Sequence, residues 1–450
     1  MLYIWLTLLS LILLWNTTTA DLGSNHETCC ALTRLDIETR LSTKSPYRSI
    51  ANYNDTQPHY PGCVPTRIWA TIRHGTRMPS KSVIARAQER LTVIQDMLLQ
   101  QAKPKLCAKE LEQLRKWSWQ HFNPEDDEKL LMAEGENELI ELAERMQLRF
   151  PSLLPDPYDP DWYYMKYTAT QRTLKSAQSF ATGLFGRHRI HTVNYPRPLH
   201  RDPILRFYKL CGRWKIDVKK NPETLVNARR FYAEPQMQSA VDYVRSRTQL
   251  EDLQPEDVEL MYTVCAFETA WQRPLGHFRP SVWCSFFDVE ALNALEFVED
   301  LEYYWNDGYG YKLSHRIACP AIADMFEAID TPTAKANATF YFTHSGTLLK
   351  LLAHLGLAKD EEMLTHKHFD YARQWRTSRI DAFATNLAFL RFDCEKGPHV
   401  LVLHQEQVVH LPGCPQDNDL CPLATLRLLF RESIENCDFD TLCQINGNAN

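Results

Sequence analysis

The run Arg73-His74-Gly75-Thr76-Arg77-Met78-Pro79 holds one imidazole between two guanidiniums. Flanking positive charge disfavours the imidazolium form, so His74 keeps a lone pair for attack. The same guanidiniums offer planar, paired donors to the oxygens of a phosphoryl group in transfer. Gly75 lets the backbone approach an anion closely, and Pro79 fixes the exit of the chain. Two further polar segments, Thr168-Ala169-Thr170-Gln171-Arg172 and Thr343-His344-Ser345-Gly346-Thr347, add Arg172 and His344. Brought together, three arginines and two histidines form a charged, hydrogen-bonding cradle around a nucleophile. Thr76 and Lys81 lie just past His74, placed to meet peripheral phosphates, with plain solvation the alternative for Lys81. Thr347 suits capping of the helix after His344, donation to phosphate, or both.

Each of these segments ends a β-type run. Residues 67–72, 162–167 and 338–342 are rich in aromatic and β-branched side chains, and a helical pattern follows each. Three strands, each closed by a polar turn and a helix, specify an α/β sheet whose functional residues gather at the strand C-termini. Residues 387–392 and 400–404 complete the strand set as a hairpin. Further helical patterns cover 83–98, 103–123 and 134–150. Residues from 206 to about 332 are also mostly helical and would cap the functional edge. Their aromatics, Phe267, Trp271, Tyr303, Tyr304 and Trp305, recur at helix spacing and read as core.

The first charged residue is Asp21, after an apolar stretch and the small-residue exit Thr17-Thr18-Thr19-Ala20. Residues 1–20 therefore read as a secretory signal peptide, too short for a comfortable bilayer span. Thirteen cysteines and the sequons at Asn54 and Asn337 fit an oxidising compartment, either extracellular or the endoplasmic reticulum lumen. Cys265 with Cys284, Cys414 with Cys421 and Cys437 with Cys443 are candidate local bridges, and the odd count leaves one thiol over. A net charge of −6 gives no overall attraction to nucleic acid or anionic membrane, so any polyanion site must be local. The domain plan is a discontinuous core over 45–205 and 335–412, a helical cap over 206–334 and a Cys-rich segment over 413–450. The sequence leaves the oligomeric state open.

Arg-His-Gly-x-Arg-x-Pro at a strand end resembles the signature of the histidine phosphatase superfamily, in its acid-phosphatase and phytase branch. Tyr304-Trp305-Asn306-Asp307-Gly308-Tyr309-Gly310-Tyr311, the segment 282–288 and Ala384-Thr385-Asn386-Leu387 are similar to the multiple inositol polyphosphate phosphatases within it. This resemblance implies a phosphoglycerate-mutase-like α/β core with a mainly parallel sheet flanked by helices, plus a mostly helical cap. It implies His74 as covalent nucleophile, with Arg73, Arg77, Arg172 and His344 on the scissile phosphate. No metal and no organic cofactor are implied, and the partner is a small polyphosphate such as phytate or bisphosphoglycerate. One departure stands out. Relatives carry His-Ala-Glu-Thr or His-Asp at the third motif, whose carboxyl protonates the leaving alcohol, whereas this chain has His344-Ser345-Gly346-Thr347. A general acid contributes about 10²–10⁴ in rate. Another acid from the cap, a neighbouring phosphate of the substrate, or a binding-only pseudo-phosphatase are the three ways to read its loss. Gln171, where relatives often have a basic residue, is a milder departure bearing on which phosphate is favoured.

Overall fold

The computed structural model describes residues 32–445, except 101–102, 274–279, 332–333, 335 and 371. The leader 1–20 lies outside the described residues. Five strands build the main sheet: β1 (Cys63–Arg73), β2 (Tyr163–Tyr167), β3 (Ala338–Thr343), β4 (Asn386–Cys394) and β5 (Gly397–His404). Their order is β2-β3-β1-β4-β5, with two short strands, β6 (Gln407–Val408) and β7 (Leu420–Pro422), added against β5.

Period-two alternation decides the layers. Ile68, Ala70 and Ile72 of β1, Phe340 and Phe342 of β3, and Ala388 and Leu390 of β4 point into one apolar cluster. There they meet Leu139 and Leu142 of α1 (Ala133–Arg149) and Phe180 of α2 (Gln171–Phe185). Trp69, Tyr341, Leu387 and Phe389 point to the opposite cluster, which continues without a break into the helices of residues 206–334. Those helices include α3 (Pro235–Thr248), α4 (Pro255–Trp271), α5 (Val289–Asp307) and α6 (Cys319–Asp330), and α7 (Ser345–His354) follows β3 on the same face. Full burial of each large side chain contributes about 1.5–3 kcal/mol, so facing both ways fixes the register firmly.

The sheet is mixed rather than mainly parallel. Pairings β2·β3 and β3·β1 are parallel, whereas β1·β4 and β4·β5 are antiparallel. The tight turn between β4 and β5 makes that pair antiparallel, and β4 runs opposite to β1 as well. The helix expected over 103–123 is confined to Ala108–Lys116. Beyond it, Trp117 and Trp119 leave helical geometry to donate both indole N–H groups to Glu268 Oε1, each at 2.7 Å.

The bridges Cys265–Cys284 and Cys414–Cys421 form as expected. Cys437 and Cys443 are not joined: Cys437 pairs with Cys319 and Cys443 with Cys211. The short helix Phe439–Cys443 between them turns the two thiols towards different elements. Cys63–Cys394 ties the start of β1 to the end of β4, and Cys107 is also disulfide-bonded. Cys29 and Cys30, on which the odd count turns, lie outside the described residues. No described helix is long and apolar enough to cross a membrane.

Candidate active site

Parallel pairing of β1 and β3 puts Arg73 beside Thr343, so the next residues, His74 and His344, emerge together at one sheet edge. Their rings stand edge to face with centroids 5.5 Å apart. His74 is 3% exposed, and its Nδ1 lies 2.9 Å from the Gly75 carbonyl oxygen. A carbonyl only accepts, so Nδ1 carries the proton and Nε2 keeps its lone pair. At His344 the assignment is reversed. Arg172 Nη2 donates to Nδ1 at 3.2 Å, leaving Nε2–H to donate to Thr168 Oγ1 at 2.9 Å.

Both imidazoles are held well below their usual pKa, first by burial and then by positive neighbours. For His74 these are Arg172, Arg73 and Arg77; for His344 they are Arg172, Arg206, Arg77 and Arg73. The cations suffer too. Burial, then Arg172 and Arg73, bring the Arg77 guanidinium down to about 9, and burial with Arg206 brings Arg172 to about 10. The Nε atoms of Arg73, Arg77, Arg172 and Arg206 are all buried without a hydrogen-bond partner. Four converging guanidiniums with unspent donors suit a multi-oxygen dianion. Among the described residues no cluster of three or more His, Cys, Asp or Glu is arranged to hold a metal ion.

The scaffold beneath is tight. Arg73 stacks over Phe383 at 4.8 Å and donates from Nη1 to Thr43 O at 2.8 Å and to the Asp381 carbonyl. Arg77 lies over Phe267 at 5.6 Å and donates to Met78 O. Gly75 and Gly135 cross almost backbone to backbone: a β-carbon on Gly75 would sit 2.3 Å from the Gly135 oxygen. The sequence pattern suggested that Gly75 clears room for an anion, but the neighbour that excludes a side chain is helix α1.

Of the secondary residues, Thr76 is fully buried and committed to Glu138, with its N–H at 2.7 Å from Oε2 and its hydroxyl at 2.9 Å from Oε1. Thr347 donates to Leu205 O at 2.7 Å and lies 3.0 Å from Thr343 Oγ1. Both hydroxyls are spent on the scaffold rather than aimed at a ligand, because each follows its histidine or arginine motif into the packed side of the turn. Lys81 is exposed and paired at the surface with Glu125 at 3.2 Å. Gln171 Oε1 accepts from Leu131 N at 2.9 Å, bracing the segment opposite Arg77. Asn54 is exposed, while Asn337 is half-buried where β3 starts between β2 and β1.

Three groups had no sequence signal. Arg206 comes from a loop outside every motif, yet it acts on both Arg172 and His344. Lys209 stands close enough to Arg206, Lys219 and Lys215 that, after burial, their positive charge lowers its ammonium. Asp381 is fully buried against Arg73 and accepts a hydrogen bond from Ser345 Oγ. At the departed third motif, a β-carbon on Gly346 would lie 3.2 Å from Asp307 Oδ1, and Asp307 is paired with the buried Lys350.

Residues 68–405 match the histidine phosphatase superfamily (branch 2). Multiple inositol polyphosphate phosphatase 1 of Drosophila melanogaster is 32% identical over 397 residues, spanning 84% of this chain and 82% of the relative. The protein of the same name from Homo sapiens is 25% identical over 411 residues, 85% and 82% of the two chains. In fold, the phytase from D. castellii superposes with a TM-score of 0.71 at 14% identity, covering 95% of this chain and 92% of the other. The Bifidobacterium longum multiple inositol polyphosphate phosphatase, solved with inositol hexasulfate, gives 0.65 at 15% identity, covering 90% and 100%.

Proposed function

The chain belongs to branch 2 of the histidine phosphatase superfamily, and from that premise we propose that it removes phosphate from inositol polyphosphates through a phosphohistidine on His74. The observation that carries this reading is the free Nε2 of His74, fixed by the Gly75 carbonyl and ringed by Arg73, Arg77, Arg172 and His344. In the first step Nε2 attacks phosphorus and the ester oxygen leaves with its electron pair. In the second, water attacks the phosphohistidine and releases inorganic phosphate. The guanidiniums serve both steps by binding charge that spreads over the equatorial oxygens.

The preference for a polyphosphate rests on Arg206 beside Arg172 and on Lys209, itself near Arg206, Lys219 and Lys215, positive charge beyond what one phosphate needs. Bisphosphoglycerate fits the same chemistry with fewer contacts. The five disulfides among the described residues, the leader and the exposed Asn54 sequon support a secretory-pathway protein glycosylated at Asn54 and, less accessibly, at Asn337.

The test is phosphate release from phytate and from an aryl phosphate by the parent and by His74→Ala. Release from both, abolished in the variant, is expected. Phytate binding without release from either compound would instead make the chain a polyphosphate-binding pseudo-phosphatase.

A further inference from the structure

Beside the catalytic histidines lies a carboxyl that the phosphoryl-binding cradle does not use. Asp381 is completely buried, comes from the segment leading into β4, and accepts a hydrogen bond through Oδ2 from Ser345 Oγ. Ser345 is half-buried and immediately follows His344 at the first position of α7. Resting on the phosphohydrolase reading above, we propose that Asp381, acting through the Ser345 hydroxyl, delivers the proton to the leaving alcohol.

The geometry favours a carboxyl that starts protonated. Arg73 Nη1 is 3.6 Å from Asp381 Oδ2, too long for a hydrogen bond, and that nitrogen is already spent on the Thr43 and Asp381 backbone carbonyls. Oδ1 is buried with no partner, an unfavourable setting for an ionised oxygen. The groups facing the carboxyl are Arg73 from β1, Ser345 from α7, and Asp307 and Tyr303 from α5. Burial raises the Asp381 pKa to about 7, Arg73 and Ser345 work against the rise, and Asp307 adds to it. Asp307, although nearer to the β-carbon position of Gly346, is the weaker candidate because its Oδ1 is already engaged by the buried Lys350 ammonium.

The step balances as follows. As His74 Nε2 bonds to phosphorus, the P–O bond to the alcohol breaks and its electron pair stays on oxygen. With the Asp381 proton on Oδ2 the contact to Ser345 runs the other way, Oδ2–H donating to Oγ, so the serine O–H turns to the leaving oxygen, passes its proton there and takes the Asp381 proton in return. The resulting carboxylate faces Arg73. When water attacks the phosphohistidine, its proton goes to Ser345 Oγ and the serine proton returns to Asp381, restoring the starting state.

The test measures kcat for phytate and for p-nitrophenyl phosphate, whose leaving group needs little protonation, in the parent, Asp381→Asn, Ser345→Ala and Asp307→Asn. Expected are losses of about 10²–10³ on phytate in the first two variants. On the aryl ester those losses shrink to about tenfold or less, which also reports that each variant folds. The parent's kcat for phytate should fall above pH 7, and Asp381→Asn should lack that limb. Equal losses on both esters, an effect confined to Asp307→Asn, or unchanged phytate turnover in Ser345→Ala and Asp381→Asn would overturn the relay. A parent whose phosphate release survives His74→Ala would instead overturn the phosphohistidine reading, independently of the donor.

Discussion

Replacing Gly135 by alanine opposes two well-scaled effects. Gly135 lies in the first turn of α1, where alanine is intrinsically favoured by up to about 1 kcal/mol. In the fold, however, a β-carbon there would sit 2.2 Å from the Thr76 oxygen and 2.7 Å from the Thr76 nitrogen. Carbon–oxygen contacts settle at about 3.3–3.6 Å, so helix and turn must part by about 1 Å. Both sides of the clash are backbone, and neither can swing aside as a side chain would. The Thr76 N–H is anchored on Glu138 of the same helix, and His74 is two residues away. Overpacking costs about 1–3 kcal/mol, and a 1 Å displacement of a reacting group costs on the order of 10² in rate. Gly135→Ala is therefore expected to lower the urea midpoint and to reduce kcat/KM for phosphate release by about a hundredfold. Unfolding followed by circular dichroism, alongside steady-state phosphate release, reads both quantities. A variant about 0.5–1 kcal/mol more stable and as active as the parent would refute the close crossing of turn and helix.

Glu138→Ala leaves Tyr47 N, Thr76 N and Thr76 Oγ1 without their acceptor, and at about 1–3 kcal/mol each the unfolding free energy from urea titration should fall by about 3 kcal/mol or more. Asp381→Asn should change the pH dependence of stability in a defined direction. A carboxyl raised to about 7 from 3.8 binds its proton more tightly folded than unfolded, so the parent loses stability as pH climbs through that window, by at most about 4 kcal/mol. The asparagine variant should lack this loss, so the stability difference between variant and parent should move in the variant's favour between pH 5 and 8. Arg206→Ala removes a positive neighbour of His344, whose imidazole should then titrate at higher pH by NMR, while KM for phytate rises.

Much of this site was legible because the β–turn–helix units are local. The apolar runs ending at Arg73, Tyr167 and Thr343 carry their own periodicity, and parallel pairing then brings His74 and His344 together without further information. What the sequence could not supply came from long-range contact. Arg206 enters through a loop, and Asp381 through a segment 308 residues after Arg73, so neither has a spacing to announce it. Thr76 and Thr347 look like ligand donors in one dimension, yet each faces the packed side of its turn. The direction of β4 escaped for a related reason: alternation specifies which face is buried but is silent on whether a neighbour runs up or down. Cysteine spacing proved equally ambiguous at Cys437 and Cys443, where six residues of separation concealed two long-range bridges.

The most direct test of a covalent step on His74 is a rapid quench. Protein mixed with phytate for milliseconds is stopped in alkali, which preserves phosphohistidine, digested, and mapped by mass spectrometry. An acid-labile phosphoryl group on the peptide containing His74, absent from His74→Ala, is the expected result. Phosphate release that continues in His74→Ala, or a phosphoryl group trapped on any other residue, would contradict it.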